Sequence, residues 1–113
     1  MKQSTVHRQI EKWVAYFGVP KPRLNFMEYG YIDQGKMKIL GTYQDGEIKL
    51  YEFGMTREVV KHEFIHYLRH RFGFFDIPAY FASPASRDAE ELLTRKWTCR
   101  SWKNIKKSIT VVQ

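Results

Sequence analysis

The chain is poor in cysteine, in long apolar runs and, toward its end, in acid. Cys99 is its single cysteine, so no internal disulfide can form, which suits a reducing compartment. No stretch approaches the roughly eighteen consecutive apolar residues of a membrane span, and Met1-Lys2-Gln3 opens no signal-peptide pattern. A cytoplasmic protein without membrane contact is therefore expected. No Asp or Glu follows Glu91, whereas Arg95, Lys96, Arg100, Lys103, Lys106 and Lys107 do, and the whole chain carries a formal charge of +7. Such a basic end can reach nucleic-acid phosphates through charge alone. A solvated face that keeps the chain soluble is the simpler account, so nucleic acid is admitted as a partner without being favoured.

What is present is a folding composition. Hydrophobic residues make up 43% of the 113 residues and aromatics 16%, which excludes intrinsic disorder and is enough for one core. The expectation is a single domain, residues 1–113.

Residues 4–17 carry Val6, Ile10, Trp13, Val14 and Phe17 at helical spacing, with Ser4 or Thr5 to cap the segment and Gly18 to end it. Pro20 and Pro22 forbid its continuation. From Arg23 the pattern changes to β-prone runs: 24–31, 37–43 and 47–53. Asp33-Gln34-Gly35 separates the first two and Asp45-Gly46, a strong hairpin signal, the last two. The simplest topology is a three-stranded antiparallel meander backed by helices, with one strand edge open to a peptide. Gly41 inside a strand signals a bulge or a close backbone approach.

The stretch Thr56–Gly73 reads as one helix. Thr56 is the candidate N-cap, Glu58 lies in the first turn, Arg69, His70 and Arg71 fill the last, and Gly73 is the left-handed stop. At about 100° per residue, Val60, Phe64, Tyr67 and Leu68, flanked by Ile65 and Phe72, share an apolar face. His62, Glu63, His66 and His70 share the opposite one. Within this helix stands His62-Glu63-Phe64-Ile65-His66, the H-E-x-x-H pattern. Residues i and i+4 lie one above the other, so both imidazoles can reach one Zn2+ ion, and Glu63 can reach a water bound there and act as general base.

A third ligand has to come from elsewhere. Residues 74–86 read as an aromatic loop interrupted by Pro78 and Pro84, in which Tyr80 is the candidate for polarising a substrate carbonyl. A further helix is expected from Ser86 or Arg87 to about Arg100, and it carries Glu90 and Glu91. Either completes a His-His-Glu set with the fourth position left to water. Asp76 is a minor alternative. His70 is not, because eight residues from His62 correspond to about 12 Å of helix rise. A metzincin site is excluded, since Arg69 and Phe72 stand where Gly and His are required. The last residues, 103–113, form a short tail whose Ile109-Thr110-Val111-Val112 is β-prone and uncharged. Entry of that tail into the cleft of its own chain or of a neighbour would make the protein latent or self-associating.

These residues resemble those of the gluzincin zinc metallopeptidases, and most of all the minigluzincins, with some similarity to the repressor-cleaving metallopeptidases of mobile elements. The resemblance implies an α+β fold: an N-terminal helix, a three-stranded antiparallel sheet, the active-site helix, a glutamate helix and a short tail. It also implies zinc held by His62, His66 and one glutamate, with Glu63 driving hydrolysis of a peptide or protein substrate. In the family a small residue follows the ligand glutamate by three positions. That favours Glu91, which has Thr94 at that place and Thr98 four further on, whereas Glu90 has Leu93 and Trp97. The face formed by Ala89, Leu92, Leu93 and Trp97 lies nearer Glu90, so both stay open. The Asp that often follows the small residue is replaced by Arg95, which leaves the histidine rings without their usual support.

Overall fold

A computed structural model describes residues 1–35 and 37–112, with the side chains of Val111 and Val112 left aside. Among the described residues it is an α+β chain of five α-helices, one 3-10 turn at Glu52–Gly54 and two small sheets. By its internal contacts it divides into two compact units, Met1–Phe64 and Ile65–Gln113.

In the first unit, α1 (Gln3–Phe17) buries Val6, Ile10 and Trp13 and ends at Gly18, whose φ of 66° is the left-handed conformation a helix stop needs. Its N-cap is Lys2, with no side-chain bond, rather than Ser4 or Thr5. Five short strands follow: β1 (Arg23–Phe26), β2 (Ile32–Gln34), β3 (Met37–Ile39), β4 (Gly41–Gln44) and β5 (Glu47–Leu50). The expected meander is corrected here. Strands β2 and β3 form a separate antiparallel pair, while the main sheet has the order β1-β5-β4, with β1 parallel to β5 and β4 antiparallel to it.

The hairpin between β4 and β5 follows from local chemistry. Asp45 and Gly46 have φ of 45° and 82°, the two positive values of a type I′ turn. The parallel pair has a non-local cause. Strand β5 alternates half-buried with buried residues and sinks Ile48 and Leu50, so it takes the centre. One of its edges is filled by β4, and β1 takes the other. Beyond the strand the association continues, with Glu52 N–H donating to the Tyr29 carbonyl at 2.8 Å and Phe53 N–H to that of Gly30 at 2.9 Å.

Helix α2 (Arg57–Arg71) begins in this unit and ends in the second. Thr56 Oγ1 accepts from Val59 N–H at 3.3 Å, so the capping residue is the one its sequence suggests. Phe64 stacks on Trp13 with ring centroids 5.4 Å apart and meets Phe17 edge-on. At its other end Gly73 N–H donates to the His70 carbonyl and Phe74 N–H to that of Arg69, a Schellman motif closed by Gly73 at φ 81°. The expected division of α2 into a buried apolar face and an open polar one is corrected. Every residue from Glu63 to Arg69 is buried, so its polar residues are covered too and need partners.

The second unit adds α3 (Ile77–Tyr80), α4 (Pro84–Thr98) and α5 (Trp102–Val112). Residues 74–86 are thus not one loop. Asp76 caps α3 by accepting from Ala79 N–H at 2.7 Å, and Ser83 caps α4 by accepting from Ser86 N–H at 3.1 Å. Both helices carry Pro in the first turn, where no N–H is missed. Helix α4 therefore starts two residues before Ser86. The β-prone tail is helical as well: α5 buries Ile105 and Ile109 and turns Lys103, Lys106 and Lys107 outward. An amphipathic stripe has overridden the strand propensity of Ile109 and its neighbours. Gln113, the last residue of the expected tail, lies outside the described residues. Among the described residues, no helix is long and apolar enough to cross a membrane.

Candidate metal centre

Helix α2 sets His62 and His66 one turn apart. His62 is half-buried and His66 is 4% exposed. On α4, Glu91 puts Oε1 2.9 Å from His66 Nε2. One donor atom from each of His62, His66 and Glu91 lies within 4.8 Å of the other two, and among the described residues this is the group that gathers three such donors.

The two adjacent glutamates part company. Glu90 is 6% exposed and is gripped by Arg69, itself 3% exposed, through Nε to Oε1 at 2.5 Å and Nη2 to Oε2 at 3.1 Å. The guanidinium lies 5.1 Å from the Phe74 ring centre and 4.6 Å from that of Trp97. Both Glu90 oxygens are thus engaged on a cation held between aromatic faces. Its helical neighbour, about 100° round α4, is turned to His66. The Arg69–Glu90 pair thereby fixes the rotation of α4 that presents Glu91.

The remaining candidates are placed as follows. Tyr80 donates its hydroxyl to Glu91 Oε1 at 3.2 Å, and its ring centre lies 6.5 Å from that of His66. Asp76 caps α3 through Oδ1 and is not in the donor group. His70 packs against Phe75, with centroids 5.4 Å apart, and is not in the donor group. Glu63, between the histidines, is 5% exposed. Gly41 of β4 lies over it: a Cβ there would stand 3.2 Å from Glu63 Cγ and 3.0 Å from Val59 Cγ1. The glycine read as a bulge or a close approach is a close approach, to Val59, Glu63 and Leu50 together. Burial pushes the hydroxyl of Tyr67, next to His66, above its usual pKa, while Arg71 opposes the shift.

No family model, curated protein or solved structure matches the chain. The likeness to gluzincins therefore rests on its own residues.

The donor set can be tested against zinc. Zinc takes imidazole nitrogen and carboxylate oxygen at about 2.0–2.2 Å, so tetrahedral ligand atoms sit about 3.4 Å apart. A group already within 4.8 Å reaches that spacing by small side-chain rotations. Two imidazoles and one carboxylate also suit zinc chemically. The residues fit.

Arg69 and Thr94 were not singled out by the motif. Arg69 reads as a dipole-complementing cation in the last turn, yet it stands three residues after His66 and so shares its face. Thr94 reads as a small residue only. Glu90 and Thr94, four apart on a later helix, are visible in the sequence, but the burial of Arg69 that gives them their role is not.

Proposed function

We propose that the chain is a zinc-dependent endopeptidase in which His62, His66 and Glu91 hold the metal and Glu63 is the general base. What carries the reading is the convergence of those three donors around a helix that also supplies a buried Glu63. Zinc in such a site acts as a Lewis acid that brings the pKa of water toward neutrality and polarises a carbonyl.

The chain's own residues account for the rest. Glu63 takes the proton from the attacking water and passes it to the departing amine, and its burial keeps bulk water from competing for that proton. Strand β4 lies at an edge of its sheet. A substrate strand added to that edge would run past Gly41, where an added Cβ would stand 3.2 Å from Glu63 Cγ. Tyr80 steadies Glu91 through its hydroxyl, and reaching a substrate carbonyl requires it to leave that bond.

The test is Glu63→Gln beside the unaltered chain. Both should hold one equivalent of zinc by elemental analysis, and cleavage of a mixture of unstructured peptides should fall about 10²–10⁴-fold in the variant. Absence of zinc from the unaltered chain, or equal cleavage by both, refutes the reading. A second reading is a binding protein with little activity that engages nucleic acid, favoured by the outward Arg95, Lys96, Arg100, Lys103, Lys106 and Lys107. Glu63→Gln would leave that role untouched.

A further inference from the structure

His66 is supported from behind by Thr94. Its Nδ1 lies 3.3 Å from Thr94 Oγ1, and Thr94 is fully buried. The hydroxyl of Thr94 in turn donates to Glu90 Oε1 at 3.4 Å, and Glu90 is locked by Arg69. A hydroxyl has one proton to give. Once that proton points at Glu90, a carboxylate that accepts from a guanidinium and from Thr94 alike, the Thr94 oxygen has only lone pairs left for His66. Nδ1 must then carry the ring proton. With zinc bound, the lone pair of the neutral imidazole would then be the one on Nε2, the atom that faces Glu91.

From this chain of contacts we infer that Thr94 is a positioning residue that fixes His66 as a ligand through Nε2, with the Arg69–Glu90 pair fixing the direction of the Thr94 hydroxyl. The inference rests on the zinc reading of the site. Two consequences separate it from mere packing. Rotation of the His66 ring by half a turn exchanges Nδ1 with a carbon and loses the Thr94 contact, so the hydroxyl holds both tautomer and ring orientation. At 3.3 and 3.4 Å the two contacts are longer than the usual hydrogen-bond range, so their loss should weaken the grip on zinc without abolishing it. Arg95, which stands where the family has its aspartate, is exposed and is not needed for this.

The experiment uses the full 113-residue chain and its Thr94→Val and Thr94→Ser variants. Zinc affinity is read by competition with a chromophoric chelator, and the His66 ring is read in the zinc-loaded protein by long-range proton–nitrogen correlation spectra. Val keeps the shape of Thr but offers no acceptor; Ser keeps the acceptor. Thr94→Val should bind zinc about 10- to 100-fold more weakly and lose the slowly exchanging Nδ1 proton of His66. Thr94→Ser should restore both to near those of the unaltered chain. Melting temperatures of the metal-free variants show whether a weaker grip merely reports a looser fold, and Thr94→Ala, which also lacks the acceptor, replaces Thr94→Val should that variant not fold. Equal affinity of Thr94→Val and the unaltered chain, or a Thr94→Ser variant as weak as Thr94→Val, overturns the inference while the zinc site stands. An unaltered chain that takes up no zinc overturns the site and the inference together.

Discussion

Replacing each of two neighbouring glutamates by alanine should give opposite results. Glu90→Ala leaves Arg69, 3% exposed, with a buried charge and no carboxylate. Breaking a buried pair from one side costs about 3–5 kcal/mol. Because Phe74 and Trp97 keep some hold on the cation, the lower end, about 3 kcal/mol, is expected. Unfolding entropy of about 2.1 cal/mol/K per residue over 113 residues converts each kcal/mol into about 4 °C, so the melting midpoint should fall by about 12 °C. Glu91→Ala removes a side chain that is 31% exposed and whose ion pair with His66 is partly screened by solvent. Its cost in the metal-free chain should stay below about 1 kcal/mol, or about 4 °C. The assay is thermal unfolding followed by far-ultraviolet circular dichroism, first with a chelator and then with excess zinc. Zinc should raise the midpoint of the unaltered chain and barely that of Glu91→Ala. Equal shifts for the two variants in chelator, or a larger one for Glu91→Ala, would mean that Arg69 and Glu90 do not anchor α4.

Two further outcomes are expected. Gly41→Ala puts a Cβ 3.0 Å from Val59 Cγ1, 3.2 Å from Glu63 Cγ and 3.3 Å from Leu50 Cδ2, so urea unfolding should show a loss of about 1–3 kcal/mol and peptide cleavage should drop with it; a neutral effect on both would mean that the approach is not tight. Because burial raises the Tyr67 pKa, the folded chain favours the neutral phenol. That contribution is fully present below the unfolded value near 10 and is lost as pH rises through the higher folded one, so urea midpoints should decline above about pH 10 and the decline should be flatter in Tyr67→Phe, an equal slope counting against it.

What the sequence made legible was local. The Asp45-Gly46 turn, the Thr56 cap, the Gly18 and Gly73 stops and the placement of His62 and His66 on one helix all follow from residues within a few positions of one another. Pairing of β1 with β5 does not, because nothing in Arg23–Phe26 names its partner and turn chemistry speaks only for neighbouring strands. The tail expected at 103–113 was misread over its described residues for a related reason: β-propensity describes Ile109 and Thr110 singly, whereas Ile105 and Ile109 four apart describe a stripe, and the stripe prevailed. Glu90 and Glu91 could not be separated by spacing alone. Their difference lies in Arg69, whose need for a carboxylate became visible only when the polar side of α2 proved to be covered.

The parallel pairing of β1 with β5 also bears on the order in which the first unit assembles. Strands β4 and β5 meet across a two-residue turn, whereas Arg23 must find Glu47, twenty-four positions away. Closing the longer loop has an entropic cost that grows with its length and falls due before any ladder bond forms. The hairpin thus offers a ready template, and β1 is the late arrival. Because α1 is joined to β1 by only a few residues, Trp13 should reach Phe64 in the same late step. Fluorescence from a tryptophan that stacks on the helix bearing His62 and Glu63 would therefore time the completion of this unit, not its beginning.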